Sequence, residues 1–434
     1  MMASEQVSNA YSAAYPQLAA QLPGRDELWL QAFRSEGLQA FTRHGFPNIR
    51  EEEWRYTNLS ALNKTLFTST ESQVIDADWL NGYRLEDAWS VVLINGRYCE
   101  SLSSLSGLPE PVAVLSISSA LKQQSARVQN FLGKAVGDGK HSLVAFNNAW
   151  FADGVLINVA EHYQLPKPLQ ILQVVTENNT LAASRNLLVF GENAQGQVVE
   201  TFAGYAGSYF TAAVTECFLG HNAELTLYKI QVEADNANHF GGTYVKQAEK
   251  SRFIHHNFAF GGSLARNDIH SDLETASECS LNGLYLGGKR QHIDNHTRIN
   301  HLKPLGISRE FYKGVLDERA RGVFQGRVIV SENAQKTDSQ MNNRNLLLST
   351  DAEVDTKPQL EIYADDVKCS HGVTVGQLED KSVFYLQSRG LDEVSARHIL
   401  TFAFANEMVD KVENDELKAM LLKQLLKHFP AISF

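Results

Sequence analysis

From Gly154 to Gly390 the chain is a succession of short runs rich in Val, Ile, Leu, Phe, Tyr and Thr, punctuated by Gly, Asn and Asp. Examples are Val155–Val159, Leu169–Val175, Asn186–Phe190, Val198–Phe202, Ala223–Ile230, Phe253–Phe260, Leu281–Leu286 and Gly322–Val330, with the series continuing to Ser382–Gln387. Runs of this length and composition read as β-strands. No ten-residue helical pattern separates most of them. That excludes a Rossmann sheet and a TIM barrel, both of which need helix crossovers. Strands spaced about ten residues apart leave a sandwich, a barrel or a β-solenoid. A stretch of about 235 residues is large for one sandwich, whereas a solenoid grows by adding rungs. At roughly 20–25 residues a rung, it would hold about ten. The class expected is mainly β, with a solenoid favoured.

The flanks are helical in pattern. Leu28, Trp29, Ala32, Phe33, Leu38 and Phe41 form an apolar stripe, with Asp26 as N-cap and Gly45 followed by Pro47 as the stop. The charged run Glu51-Glu52-Glu53-Trp54-Arg55-Tyr56-Thr57 reads as a solvated helix start that docks Trp54 and Tyr56 on a core. A short strand is expected over 89–96, closed by Asn95-Gly96. Helix follows from about Ser116 to Ala149, interrupted near Gly133–Lys140. That interruption resembles a P-loop only superficially. Gly139 sits one position late, His141 replaces Ser/Thr, and no apolar strand leads in. After Gly390, Leu391-Asp392-Glu393-Val394 opens a helix with acidic residues in its first turn. A second helix runs from about Glu413 to His428. The organisation expected is a helix-rich region at 1–150, a β core at 151–390 and a helical region at 391–434. The last two helices are a cap, a docking surface for a partner, or both.

Charge and cysteine usage narrow the function. Lys+Arg total 39 and Asp+Glu 50, a net charge of −11. Nucleic acid and anionic membrane surfaces both call for a basic face. The start, Met1 to Leu22, lacks a basic stretch followed by an apolar one, and no run of about 18 apolar residues exists. A cytoplasmic protein with reduced thiols is expected. Cys99, Cys217, Cys279 and Cys369 are scattered, with no CxxC pair. A zinc ribbon or a cluster site owned by this chain is therefore not expected. The absence of HExxH, GxSxG or a GxGxxG in strand–helix context speaks against a conventional hydrolase or dehydrogenase.

Two constellations stand out. In Asp365-Asp366-Val367-Lys368-Cys369-Ser370-His371-Gly372, a strand would turn Cys369 and His371 to the same face. A thiolate beside an imidazole suits Fe or Zn, or a nucleophile dyad, with Lys368 able to lower the thiol pKa if it lies close. The alternative is a buried Cys beside a surface His. In Gln291–His301, His292, Asp294 and His296 would share a strand face. They form either a two-His, one-carboxylate set or a polar, solvent-facing side, and the second is favoured. His255 and His256 face opposite ways on a strand, so one of them is expected to be structural. Cys99, Cys217 and Cys279 read as core cysteines.

Several of these residues carry a family likeness. Ser308–Leu316, Gly322–Gly326, Gln335–Asp338, Ala352–Ile362 and Asp365–Gly372 resemble the SufB/SufD family of iron–sulfur assembly proteins, and Glu53-Trp54-Arg55-Tyr56-Thr57 resembles its N-terminal signature. Within that family the Lys-Cys-Ser-His-Gly run resembles the SufD branch. The resemblance implies a right-handed parallel β-helix between helical ends. It also implies a complex with SufB and two copies of the ATPase SufC, the latter docked on the C-terminal helices. His371, with Cys369 beside it, would then help ligate iron or a nascent cluster shared with SufB. A homodimer in the absence of SufB and a reduced flavin on the complex are further implications. The chain itself would be a scaffold and not an enzyme. From the residues alone, a free-standing metal-binding enzyme and a purely structural ATPase-recruiting module remain open.

Overall fold

The structure is a computed structural model that describes residues 2–70, 75–137, 141–205 and 207–428, with side chains from Ser8 onward. Strands hold 40% of the chain and helices 26%, and the strands build a parallel β-solenoid of about eight turns. One long sheet runs, from the C-terminal end inward, through Lys368–Gly376, Asp338–Leu347, Ile307–Leu316, Glu278–Gly287, Arg252–Ala259, Glu224–Gln231, Gln195–Gly204, Leu169–Val175 and Trp89–Ile94 to Arg97–Tyr98. The facing sheet runs through Glu353–Ile362, Arg321–Val330, His292–His301, Leu264–Leu273, Asn238–Gln247, Phe210–Leu219, Leu181–Phe190 and Val155–Val159 to Val112–Ser116. Pairing is parallel except at the N-terminal end, where Trp89–Ile94 meets Arg97–Tyr98 and Val112–Ser116 meets Val155–Val159 antiparallel. Turns of the coil are longer than expected, 26 to 31 residues between strand starts in the first sheet. Each turn spends two strands of up to ten residues plus two corners, so fewer turns fill the same length.

The side-chain period of two fixes the core. Inward positions stack in register from turn to turn, as in Leu227, His255, Leu281, Glu310, Met341 and His371. Val91, Ile157, Ile171, Leu188, Leu225, Phe253, Ile293 and Phe324 fill the lumen with apolar volume. One corner repeats a left-handed residue followed by a small one. Asn193, Asn222, Lys250, Ala276, Leu305 and Lys336 have φ of 54° to 66°, and Ala194, Ala223, Ser251, Ser277 and Thr337 after them are at most 1% exposed. The Asn222 amide donates to Asn193 Oδ1 at 2.7 Å, one rung of a ladder along that edge.

Helices cover the outer faces of the two sheets separately. Tyr11, Phe41, Phe46, Phe146 and Trp150 from the N-terminal region pack on Phe210, Ala212, Val214 and Phe240 of one sheet. Met408, Val409, Leu417, Leu421 and Leu425 from the C-terminal helices pack on Tyr228, Ile230, Phe258, Leu284 and Val315 of the other. The helix Leu28–His44 follows Glu27, which supplies no side-chain cap. Asp26, expected there, lies one residue too early. The interrupted helix resolves into Ile117–Phe131 and Ser142–Trp150. The P-loop lookalike falls partly outside the described residues, at 138–140. Residues 382–387 are not a strand. They belong to the helix Asp380–Gln387, because the solenoid has already ended at Gly376 and no edge is left beside them for pairing. The helices Glu393–Val409 and Asp415–His428 complete the chain, the first capped by Asp392 accepting from the Ser395 amide.

Candidate metal centre at the open end of the solenoid

The strand Lys368–Gly376 is the last of its sheet and pairs on one side only, with Asp338–Leu347. Glu353–Ile362 ends the facing sheet in the same way. The C-terminal end of the solenoid therefore presents two unpaired strand edges side by side. Backbone N–H and C=O groups along such an edge are templates for another strand.

Cys369 and His371 lie on this terminal strand, two residues apart. They stack on Ser339 and Met341, both buried inward residues of the previous turn. The sequence-derived side-by-side placement is thus realised at the mouth of the lumen. Cys369 is half-buried against the luminal core, whereas His371 is exposed. Burial pushes the Cys369 thiol up, the Asp338 charge adds to that, and the Ser339 backbone hydrogen bond works against it. Lys368, next to Cys369 on a strand, points the other way, and it is not among the groups that shift the thiol. Among the described residues, no group of three or more His, Cys, Asp and Glu is placed to hold a metal ion. Two donors at an open end make an incomplete coordination set, so iron or a cluster carried here as cargo needs further ligands from outside the chain.

Behind the pair the lumen holds groups that the sequence patterns did not single out. Glu310 lies in the His371 column, two strands inward or about 10 Å at ordinary strand spacing. It is 2% exposed, and burial pushes its pKa up to about 7 against the opposing pull of Thr297. In the neighbouring column, Ser308 Oγ donates to Ser339 Oγ at 2.8 Å and lies 2.9 Å from His301 Nε2. Cys279 sits one strand deeper in that column, with burial pushing its thiol far up. Cys217 is also luminal and buried, while Cys99 is half-buried near the N-terminal end. Of the adjacent histidines, His255 points into the lumen and His256 outward, where it stacks on Tyr228 with centroids 4.9 Å apart. The usable signal for Glu310 was alternation in Ser308-Arg309-Glu310-Phe311-Tyr312, which places a carboxylate at an inward position.

The second constellation is a clasp. His292, Asp294 and His296 do share one face, but that face is covered by the N-terminal segment and not open to solvent as expected. Arg266, itself 1% exposed, donates from Nη1 to Asp294 Oδ2 and from Nε to Asp268 Oδ1, each at 2.6 Å. It also donates to the Glu53 carbonyl at 3.0 Å and lies 4.1 Å from the Trp54 ring centroid. Thr57 Oγ1 donates to Asp294 at 2.5 Å and lies 2.9 Å from His292 Nε2. His296 is 3.0 Å from Asp294, and His141 is 2.9 Å from Asp268. Burial works against both carboxylates, but the Arg266 charge overrides it and holds them well below the usual range. A carboxylate neutralised by an internal guanidinium has little left to offer a divalent metal. The run Glu53–Thr57 is thereby explained as the residues that seat the N-terminal region, with Trp54 buried, Tyr56 half-buried and a single 3₁₀ turn at Glu52–Trp54.

The fold and site together define a class: a β-solenoid that buries its own charges and leaves a half-buried thiol and an exposed imidazole at an open sheet edge. Comparison with known proteins gives the family. The SUF system FeS cluster assembly SufBD core domain matches residues 173–404, and the SufBD protein N-terminal region matches residues 5–171. An iron–sulfur cluster assembly SufBD family protein of Synechocystis is 33% identical over 389 residues, covering 86% of each chain. The iron–sulfur cluster assembly protein SufD of Escherichia coli is 31% identical over 420 residues, 93% of this chain and 96% of that one. A chloroplastic protein of Arabidopsis thaliana is 28% identical over 400 residues, 90% of this chain and 84% of its own. The chain belongs to the SufBD family of iron–sulfur cluster assembly proteins.

Proposed function

We propose that this chain is a non-catalytic scaffold subunit that shares a nascent iron–sulfur cluster, or its iron, with a SufB-type partner docked on the open end of the solenoid. The observation that carries the reading is the position of Cys369 and His371, adjacent inward residues on a strand with a free edge. A partner strand added there would bring its own ligands to within reach of both. The incomplete set of two donors is what a shared site needs from one of its subunits.

The C-terminal helices are the proposed dock for the ATPase SufC. Phe384, Tyr385 and Val394 are 70%, 57% and 60% exposed on that region, large apolar surface for a chain to leave uncovered. ATP-driven movement of the docked subunits would open or close the shared site. The same free edges can pair two copies of this chain when no SufB-type subunit is present. The proposed compartment is cytoplasmic, and none of the described helices is long and apolar enough to cross a membrane. A reduced flavin on the assembled complex is part of the same proposal.

The test is His371→Ala in the reconstituted complex. Normal subunit assembly with loss of cluster formation is expected. Full cluster formation in that variant would leave only the ATPase-recruiting role. A free-standing metalloenzyme built on His292, Asp294 and His296 is disfavoured by the Arg266 ion pairs, and stoichiometric metal on the isolated chain that is lost in His292→Ala would revive it.

A further inference from the structure

A groove of about 370 Å³ lies on the outer face of the sheet, between the strands and the turn that joins the last two helices. That volume is within the usual range for a small-molecule site. Its floor carries Arg252, Ser280, Asn282, Arg309, Gln340 and Asn342, and Lys411 and Glu413 hang over it from the turn. Phe311 on the floor has three cations around it. Arg344 lies 5.4 Å, Lys411 5.5 Å and Lys313 5.6 Å from its ring centroid.

These cations differ in their ion pairs. Arg252 is shared by Glu224 and Glu278, Arg309 pairs with Asp338 at 2.9 Å, and Lys313 pairs with Glu407 at 2.5 Å. Arg344 and Lys411 have no carboxylate within 4.0 Å among the described residues. In a chain of net charge −11, Lys411 lines the groove and Arg344 stands at its edge beside Phe311, both without a carboxylate partner among the described residues. The side chains of Ser280, Asn282, Gln340 and Asn342 make no hydrogen bond within the described protein, so their donors are unspent. His256, 4% exposed and lining the groove, has an Nδ1 with no partner. Buried polar atoms of this kind are normally satisfied, by water or by a ligand.

We infer that this groove binds a phosphate-bearing small molecule, its anionic group held between Lys411, Arg344 and Arg309 and its remaining acceptors met by the amide and hydroxyl row. Phosphate offers the several acceptor oxygens and the charge that this donor set lacks. Because Lys411 belongs to the helical region and Arg309 and Arg344 to the solenoid, the ligand would tie the two together. The inference does not depend on the shared-cluster reading.

Isothermal titration of the full chain with inorganic pyrophosphate tests it. Saturable binding is expected, weakening severalfold as salt rises from about 50 to about 300 mM. Lys411→Ala and Arg344→Ala should each weaken it by about tenfold or more, as for loss of a hydrogen bond to a charged group. Glu413→Gln, which removes the carboxylate that hangs over the groove near Lys411, should tighten it. Parallel titrations with orthophosphate and a nucleoside monophosphate identify whether a free or an organic phosphate is preferred. No saturable heat up to about 10 mM ligand, the weak limit of a specific site, or unchanged affinity in the Lys411→Ala, Arg344→Ala double variant, overturns the inference. Should the double variant fail to fold, the opposite responses of Lys411→Ala and Glu413→Gln decide it.

Discussion

Arg266→Met should undock the N-terminal segment without unravelling the solenoid. The guanidinium is the common partner of two carboxylates, Asp268 and Asp294, that are 1% and 0% exposed. Breaking a buried pair by removing one member costs about 3–5 kcal/mol, because the other charge is left without compensation. Loss of the Trp54 contact adds about 0.5–2 kcal/mol. His141, Thr57 and His296 remain to support the carboxylates, so a net cost of about 4 kcal/mol is expected. The amides of Trp54 and Thr57 donate within the docked segment to Glu51 and Trp54 carbonyls. Their hydrogen-exchange protection at pH 7.5 should fall by roughly a thousandfold, since each 1.4 kcal/mol is tenfold. The pH dependence carries the sharper test. In the wild type both carboxylates are depressed, so their contribution is complete above the ordinary carboxylate pKa near 4 and is lost as pH falls below it. In the variant burial, the largest influence on both, is opposed only by His141, His296, His292 and Thr57, so both carboxylates rise relative to the wild type. They then take up protons at a higher pH than in the wild type, and the variant recovers stability relative to it as pH falls from 7.5 toward 5. The gap between the two proteins should therefore narrow with acid. Adding Asp268→Asn and Asp294→Asn to the variant should recover half or more of the loss at pH 7.5, because no unpaired charge is left behind. A loss under about 1 kcal/mol, or a gap that stays constant from pH 7.5 to 5, would refute the clasp.

Three further outcomes are expected. Ferrous iron binding to the assembled complex should strengthen with rising pH and drop by about tenfold or more in Cys369→Ser, because the metal must displace a proton from a thiol that burial holds up; pH-independent affinity read by metal analysis would argue against thiolate ligation. Phe384→Asp with Tyr385→Ser should abolish co-purification of the ATPase while circular dichroism of the chain is unchanged, since both side chains are exposed. Gly283→Ala should lower the thermal midpoint by several degrees, equivalent to about 1–3 kcal/mol of overpacking, because the added Cβ would fall 2.1 Å from the Tyr312 ring inside the lumen.

How much of this was legible from residues alone follows from which interactions are local. Strands such as Val155–Val159 and Leu169–Val175 were readable to the residue, because a fully buried strand is a continuous apolar run. The turn length was not, because strands such as Glu278–Gly287 carry polar residues such as Glu278, Ser280 and Asn282, and only Leu281–Leu286 looks like strand. The repeat was present at the corners, as a left-handed residue followed by Ala, Ser, Gly or Thr. Its identity varies from Asn193 to Lys336, so no fixed motif repeats. Ser382–Gln387 misled because Val383, Phe384, Tyr385 and Leu386 have strand-like composition. Their helix is set by tertiary context after the solenoid ends, which overrides propensity. Cys369 and His371 were found because strand alternation is geometric and survives any context. The fate of His292, Asp294 and His296 was hidden, since the deciding partner, Arg266, lies on a different strand.

The scattered cysteines acquire a definite meaning once each is placed. Cys217 and Cys279 are closed inside the lumen, where burial keeps their thiols protonated and out of reach of a carrier. Cys369 shares its column with Cys279 and differs from it by lying on the last turn. One more turn of coil stacked on it would bury Cys369 as Ser339 is buried, and would pair the edge that a partner strand needs. In the proposed function, ending the solenoid at Gly376 is what turns an interior position into a ligand position. The same termination leaves the coordination set incomplete, because residues that a further turn would have supplied are missing from this chain. An open edge and an unfilled set of ligands are consequences of one structural event, so a partner that satisfies the edge is placed by geometry to complete the site. A stand-alone metalloprotein has no reason to couple the two, whereas a subunit built to share and then release a cluster does.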